Sequence, residues 1–349
     1  MLRVSRTAAA LLLAMPLAVA GCAGGKESAA RPSKATIKTA TPTPEPLTPE
    51  VAARQFRTFT IDDNVARAAG DERLALSWVT DGQSMLTASE YRKAAFDGDP
   101  VREYEYGTPK LYVPKLTSYP HWFVAQVPRN VKGDKKNTRE TYLAFVRRNP
   151  VEGWKLSLAT QLAPKARAPK VAVDAEGYAT PLATTEASVL IQPRALPGIQ
   201  ATLAAEGPYS VAAKVMRAGP FTTGYYSQTR KDRRKAKDHD LVLEAVFVAT
   251  PFPFFPLRTQ NGSGLVLYAL SRNSIIKGKE KDERKPPIPP DVAHLLDGTV
   301  KGTEIHTTDI LQFAAFDPVK ASGEGKVQPK ADVIGEAGAL ARATTPPPK

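Results

Sequence analysis

The sequence predicts an α+β protein of two similar domains, each with N-terminal helices packed on an antiparallel sheet, set behind a signal peptide and a disordered stalk. Three observations carry this expectation. A helix-start signal is followed by apolar residues at mixed spacing over 51–80. From Gly107 the texture changes to short runs rich in aromatic and β-branched residues. The same order, helical patterns first and strand patterns after, returns beyond residue 165.

At the N-terminus, Arg3 and Arg6 precede a mostly apolar run from Ala8 to Ala20, and Val19, Ala20 and Gly21 put small residues before Cys22. That is the pattern of an export signal. The run is shorter than the roughly 20 apolar residues a spanning helix needs. Cys22 is the only cysteine in the chain of 349 residues, and cleavage by the ordinary peptidase needs no cysteine after the cut.

Val-Ala-Gly-Cys, residues 19–22, resembles the bacterial lipobox. The resemblance implies that residues 1–21 are removed, that Cys22 becomes the N-terminus, and that its thiol carries a diacylglycerol. A buried methylene contributes about 0.8 kcal/mol, so two or three acyl chains hold a protein where one would not. The expected location is the cell membrane, lipid-anchored on the extracytoplasmic face. With Cys22 modified, no thiol remains for a disulfide, a redox couple or a Cys-ligated metal. No cofactor is expected.

Residues 22–47 are small, polar and proline-rich and read as a disordered stalk behind the lipidated cysteine. Residues 321–349, ending in ATTPPPK, have similar composition and are expected to lack fixed structure too. Between them lie about 270 residues, enough for two domains that bury their own cores.

Loss of the first 21 residues removes two arginines and no acid, so 46 basic against 35 acidic residues leave a net charge of +11. The excess gathers at Arg230, Lys231, Arg233, Arg234, Lys235 and Lys237, and again over 277–285 and 132–136. An exported protein meets little nucleic acid, and no aromatic residues interleave with these runs for base stacking. Nucleic acid is therefore excluded as a partner, and an anionic lipid, a wall polymer or another envelope protein is expected instead. Solvated loops that keep the protein soluble explain the same runs.

The first domain is expected over 48–164. Thr48-Pro49-Glu50 supplies an N-cap, a proline at the first helical position and an acid in the first turn. Gly70-Asp71 reads as a break and Asp81-Gly82 as a stop, with a further helix over 87–95. LYVPKL, HWFVAQV, TYLAFVRR and WKLSLAT then read as four antiparallel strands, with Pro114, Pro128 and Pro150 at turns or strand ends. PKARAP at 164–169 marks the boundary. In the second domain, 165–320, helical patterns at 193–205 and 209–216 precede LVLEAVFVAT, FPLRT, GLVLYALS and DILQFAAF as strands. TYLAFVRRN at 141–149 aligns with LVLYALSRN at 265–273, a weak sign of internal duplication.

Helices followed by a curved antiparallel sheet resemble the nuclear-transport-factor-2-like cone fold. The words YPHWFVAQV, YLAFVRRNPVEGWKLSL, VDAEGYATPL and PLRTQNGSGLVLYAL also resemble an uncharacterised family of actinobacterial lipoproteins, over most of residues 50–320. These words are core strands and turns, so the resemblance implies localisation and fold and is silent on activity.

Chemistry is sparse. The four histidines have no metal-ligand spacing, and no metal is expected. Ser274-Ile-Ile-Lys277 fits an acyl-serine motif, but it follows a strand pattern and no KTG lies downstream. In a cone-shaped pocket Tyr119 and His121, with Asp62 or Asp63, would form an acid–base set. The plainer reading makes Tyr119–His121 a turn before a strand and has Asp62-Asp63 cap a helix. The leading expectation is a non-catalytic binding module. An isomerase- or cyclase-like enzyme and a transporter-associated solute-binding lipoprotein are the alternatives.

Overall fold

Thr48 starts the first helix by the chemistry its sequence signals. In the computed structural model, which describes residues 46–279, 285–296, 298–322 and 327–346, α1 runs Pro49–Ala69, and Val51 N donates to Thr48 Oγ1 at 3.2 Å. Gly70, at φ +64°, closes it in the left-handed conformation that glycine adopts without strain. Asp71 then caps the short α2, Glu72–Ser77, by accepting from Leu74 N.

Asp81-Gly82 does not stop a helix; it opens α3, Asp81–Asp97. The reason is packing. A Cβ on Gly82 would stand 2.9 Å from Ile310 Cγ2 and 3.1 Å from the Phe252 ring, so this glycine serves close approach. Asp81 itself is held by Arg148 and by Ser157 Oγ, 2.6 Å away.

The strands of the first half are β1 Tyr104–Tyr106, β2 Lys110–Tyr112, β3 His121–Val131, β4 Arg139–Arg147 and β5 Lys155–Leu162. In the second half, α4 Leu196–Glu206 and α5 Thr223–Asp238 precede β6 Leu241–Ala249, β7 Phe255–Arg258, β8 Gly264–Gly278, β9 Glu304–Asp317 and β10 Asp332–Thr344. The protein is a mixed α+β structure with one large antiparallel sheet, ordered β1-β3-β4-β5-β10-β9-β8-β6, with β2 beside β3 and β7 beside β8.

Each half thus has the same internal order. The expected boundary at 164/165 is no break in the sheet, because β5 pairs with β10 through Gly335↔Leu162 and Glu336↔Gln161. Only glycine fits at 335: a Cβ there would lie 2.7 Å from Gln161 O.

Four expectations are corrected. Residues 321–349 were expected to lack structure, yet β10 occupies 332–344 at the centre of the sheet. Its small residues are an adaptation to close packing, since a Cβ on Gly338 would lie 2.7 Å from Leu311 Cδ2. The aligned words at 141–149 and 265–273 fall on β4 and β8, which occupy different places in the two halves, so the repeat is one of topology and those matches do not carry it. Pro128 lies inside β3, opposite Glu140. Its carbonyl accepts from Gly107 N in the gap between β1 and β2, and its missing N–H falls on that same side, so no ladder bond is lost. Finally, Arg230–Lys237 lie on α5 and not in a loop.

Side chains alternate along the strands and build cores on both faces. On one face Phe56 and Phe59 of α1 pack on Phe123, Leu143 and Phe145. On the same face of the second half, Leu196 and Leu203 of α4 pack with Val266, Tyr268 and Phe313. The other face carries a core shared by both halves, including Val124, Tyr142, Leu158, Phe255 and Leu267. Trp122 of β3 and Phe255 of β7 have ring centroids 5.5 Å apart. Six strand steps would separate them by about 29 Å in a flat sheet, so the sheet curls around this shared core.

Candidate functional site

The residues expected to carry the anchor, Val19, Ala20, Gly21 and Cys22, lie outside the described residues. The expected acid–base set does not assemble. Tyr119 and His121 stack at the start of β3, ring centroids 4.1 Å apart, with Tyr119 Oη and His121 Nδ1 buried and without a hydrogen-bond partner. Burial, then Arg147 opposite on β4, holds His121 below its ordinary value. Neither residue lines either of the two clefts described below.

Asp63 sits elsewhere. It is buried on α1 and pairs with Arg67 Nε at 2.7 Å, while Asp62 beside it is half-buried. Arg67 also bonds Glu90 at 2.9 Å and lies 4.7 Å over the Tyr104 ring, whose other close cation is Arg129 at 4.5 Å. Arg129 is eight residues beyond His121 on β3, or about 26 Å along an extended strand. The plainer reading of Asp62-Asp63 as a helix cap is corrected too: both lie inside α1, which Thr48 and Gly70 cap, and Asp63 instead holds a buried partner, Arg67. Burial opposes the Arg67 charge, and Glu90 and Asp63 outweigh it, holding the group above its ordinary value.

Two clefts open on the helix-bearing face. One, of about 720 Å³, lies between α5, β6, β8 and residues 289–292. The other, of about 780 Å³, lies between α3, β5, β10 and the turn at Ala293–Leu295. Asp291, Asp309 and Leu340 line both, so the clefts adjoin. The sequence builds them by a change along β8: Val266, Tyr268 and Leu270 enter the core under α4, and on the same face Arg272, Ser274 and Ile276 follow into the cleft.

At the junction Arg272 Nε bonds Asp309 Oδ2 at 3.0 Å across the β8–β9 ladder. Glu336, on the same face of β10, has no ion pair among the described residues. Burial raises its carboxyl above the ordinary value, while Tyr225 and Arg272 pull the other way. Burial, then Glu336, pushes the Tyr225 hydroxyl well up. Gly338 makes room for this carboxylate, since a Cβ there would stand 2.9 Å from Glu336 Oε1. Thr229, buried on α5, lines the first cleft, and its buried Oγ1 has no hydrogen-bond partner among the described residues. Two carboxylates therefore face one guanidinium where the clefts meet, and the junction favours a cationic group in a bound molecule.

In the second cleft Ser89 Oγ donates to Leu340 O at 2.6 Å and lies 3.3 Å from His294 Nε2. The hydroxyl proton is committed to the carbonyl, so the imidazole donates to Ser89 and does not activate it as a nucleophile. Burial, then Lys93, keeps His294 below its ordinary value. Ser274 and Lys277 of the SxxK match lie within β8, with Lys277 paired to Glu244. No described helix is long and apolar enough to cross a membrane.

Sequence reading missed Arg272, Asp309, Glu336 and Tyr225. The available signal was alternation. Arg272 and Asp309 break otherwise apolar same-face series, and Glu336 lies in a segment whose small residues disguised a strand.

No solved structure matches this chain. An uncharacterised lipoprotein of Streptomyces coelicolor, SCO2278, is 25% identical over 283 residues, covering 79% of this chain and 82% of its own. An uncharacterised lipoprotein of Streptomyces avermitilis is 24% identical over 285 residues, covering 79% and 80%. Residues 44–345, which span all of α1 to β10, match the family model described as domain of unknown function DUF8094, and the chain belongs to that family.

Proposed function

We propose that the chain is a lipid-anchored binding protein of the cell envelope, held on the extracytoplasmic face by Cys22, which receives a small amine-bearing molecule in the adjoining clefts and releases it unchanged. The observation that carries the binding role is the junction itself: about 1,500 Å³ of adjoining cleft space meets at Arg272, Asp309 and Glu336, while the cores on either side are filled. The lipoprotein names of the two relatives and the lipobox-like residues 19–22 support the anchor. The shared strand order supports reading each half as one copy of the cone-like unit that the sequence resembles. The exposed cations of α5 support an anionic partner, whether lipid, wall polymer or envelope protein.

Two experiments test this. Membrane fractionation should find the wild-type protein with membranes and Cys22→Ala released; retention of the variant would remove the anchor. Isothermal titration with polyamines, amino acids and their uncharged analogues should give heats for the amines that are lost in Glu336→Gln. No heat with any amine would sink the cleft reading.

A second reading, an isomerase- or cyclase-like enzyme, is favoured by one observation: Glu336 is raised by burial beside Tyr225, an arrangement suited to proton transfer. Recovery of bound molecules in altered form would select it.

A further inference from the structure

The two halves share one topology but end in unlike edges. On the first half the edge strand β1 has three residues, Tyr104–Tyr106, and its first ring is covered by Arg67 and Arg129. On the second half the corresponding edge strand β6 has nine residues, Leu241–Ala249, and pairs only with β8. A short or covered edge is the usual protection against strand addition; β6 is long, and Arg233 meets its open side at Ala245 O.

The two faces of this edge differ. Leu243, Ala245 and Phe247 point toward α5, where Tyr225 meets Phe247 at 5.4 Å between centroids and Arg233 reaches Ala245 O at 3.4 Å. On the opposite face Val246 is 55% and Val248 46% exposed, so apolar surface stands open there. Arg230, Arg233 and Lys237 are three and four residues apart and share the stripe of α5 from which Arg233 reaches the strand. All are exposed, and none makes an ion pair among the described residues.

We propose that β6 is a docking edge for an extended segment of a partner protein, added antiparallel or parallel as an eleventh strand, in which acidic residues facing α5 alternate with apolar residues facing Val246 and Val248. The period of two follows from strand geometry: side chains of an added strand alternate between the faces of the sheet, and these faces ask for opposite chemistry. A second copy of this chain is disfavoured by the same charges, since edge-to-edge pairing would bring two cationic α5 helices together on one face. This deepens the reading of α5 as an anionic-partner face and rests on it.

The test uses the full-length chain and fluorescent eight-residue peptides of alternating Glu-Val, alternating Lys-Val, and Glu-Val interrupted by a central proline. Polarisation should show the Glu-Val peptide binding in a salt-sensitive way and the other two failing. Backbone amides at 241–249 should gain exchange protection on binding. Arg230→Glu with Lys237→Glu should weaken binding about tenfold or more, and Val246→Asp should weaken it independently. These three positions are exposed, so the variants keep the fold, which circular dichroism checks. Equal binding of the Lys-Val or proline peptide, or protection that spares β6, would overturn the proposal. Binding of phosphatidylglycerol vesicles without binding of the Glu-Val peptide would overturn the docking strand and leave the anionic-partner face standing; failure of both removes the two together. Dimerisation in sedimentation that Val246→Asp abolishes would also overturn it.

Discussion

Arg272 and Asp309 face each other across the β8–β9 ladder with Nε 3.0 Å from Oδ2; Asp309 lines both clefts and Arg272 the first. Each side chain is only partly shielded, at 26% and 12% exposure. Asp309→Ala leaves the guanidinium beside Glu336 alone, so the expected loss is about 1.5–3 kcal/mol, the range for a hydrogen bond to a charged group. Because Glu336 then inherits the arginine, amine binding should weaken as well. Urea unfolding and titration of the same variant check the two effects.

Gly335→Ala is expected to destabilise by about 2–3 kcal/mol, since its Cβ meets backbone that cannot move aside without opening the β5–β10 pairing. Gly153→Ala, whose Cβ would meet nothing within 4 Å, is the matched control. Equal urea midpoints for the two variants would contradict the close approach at 335.

Arg67→Ala should be among the most damaging single changes. It strands the buried Asp63 carboxylate and removes the partner of Glu90, and breaking such a pair typically costs about 3–5 kcal/mol. Substituting Asp63→Asn together with Arg67→Met should recover part of that loss. The same double variant should keep amine binding if Asp63 is purely structural.

Asp317 governs a pH response. It is buried at the end of β9, accepts among the described residues from Ile191 N at 3.2 and 3.3 Å, and burial pushes it up to about 7. Folding thus raises the acid above its unfolded value near 3.8, so its contribution to stability is full below that value and is lost as pH rises through 7. Three pKa units correspond to about 4 kcal/mol. His121 and His294 act in the opposite sense: both are held below 6.5, so falling pH charges the unfolded chain first and removes stability. Comparing wild type with Asp317→Asn isolates the acid. The variant should match wild type at pH 4 and exceed it at pH 8, as measured by urea unfolding; parallel profiles would rule this out.

Much of the fold was legible because its signals are local. Thr48-Pro49-Glu50 and Gly70-Asp71 mark the ends of α1 through capping bonds that involve neighbours in the chain. The aromatic and branched runs at 121–127 and 264–270 are buried in the sheet and read as strands for that reason. What escaped depends on distant partners. Gly82 and Gly335 look like turn residues until Ile310 and Gln161 are placed beside them. The cations of 230–237 look like a solvated loop because the buried side of α5 contributes little more than Tyr225 and Thr229 to any apolar pattern. The cleft residues escaped for a further reason: Arg272, Asp309 and Glu336 come from three separate strands, and only strand order brings them together.

That strand order also constrains the sequence of events during synthesis. The element that joins the two halves, β10, comes last in chain order among the described strands. Until β10 has left the ribosome, β5 and β9 each lack their neighbour, and both half-sheets carry an open edge where the finished protein has its centre. A chaperone that shields β-edges would find its substrate in that interval, and a variant lacking β10 would keep both edges open for good.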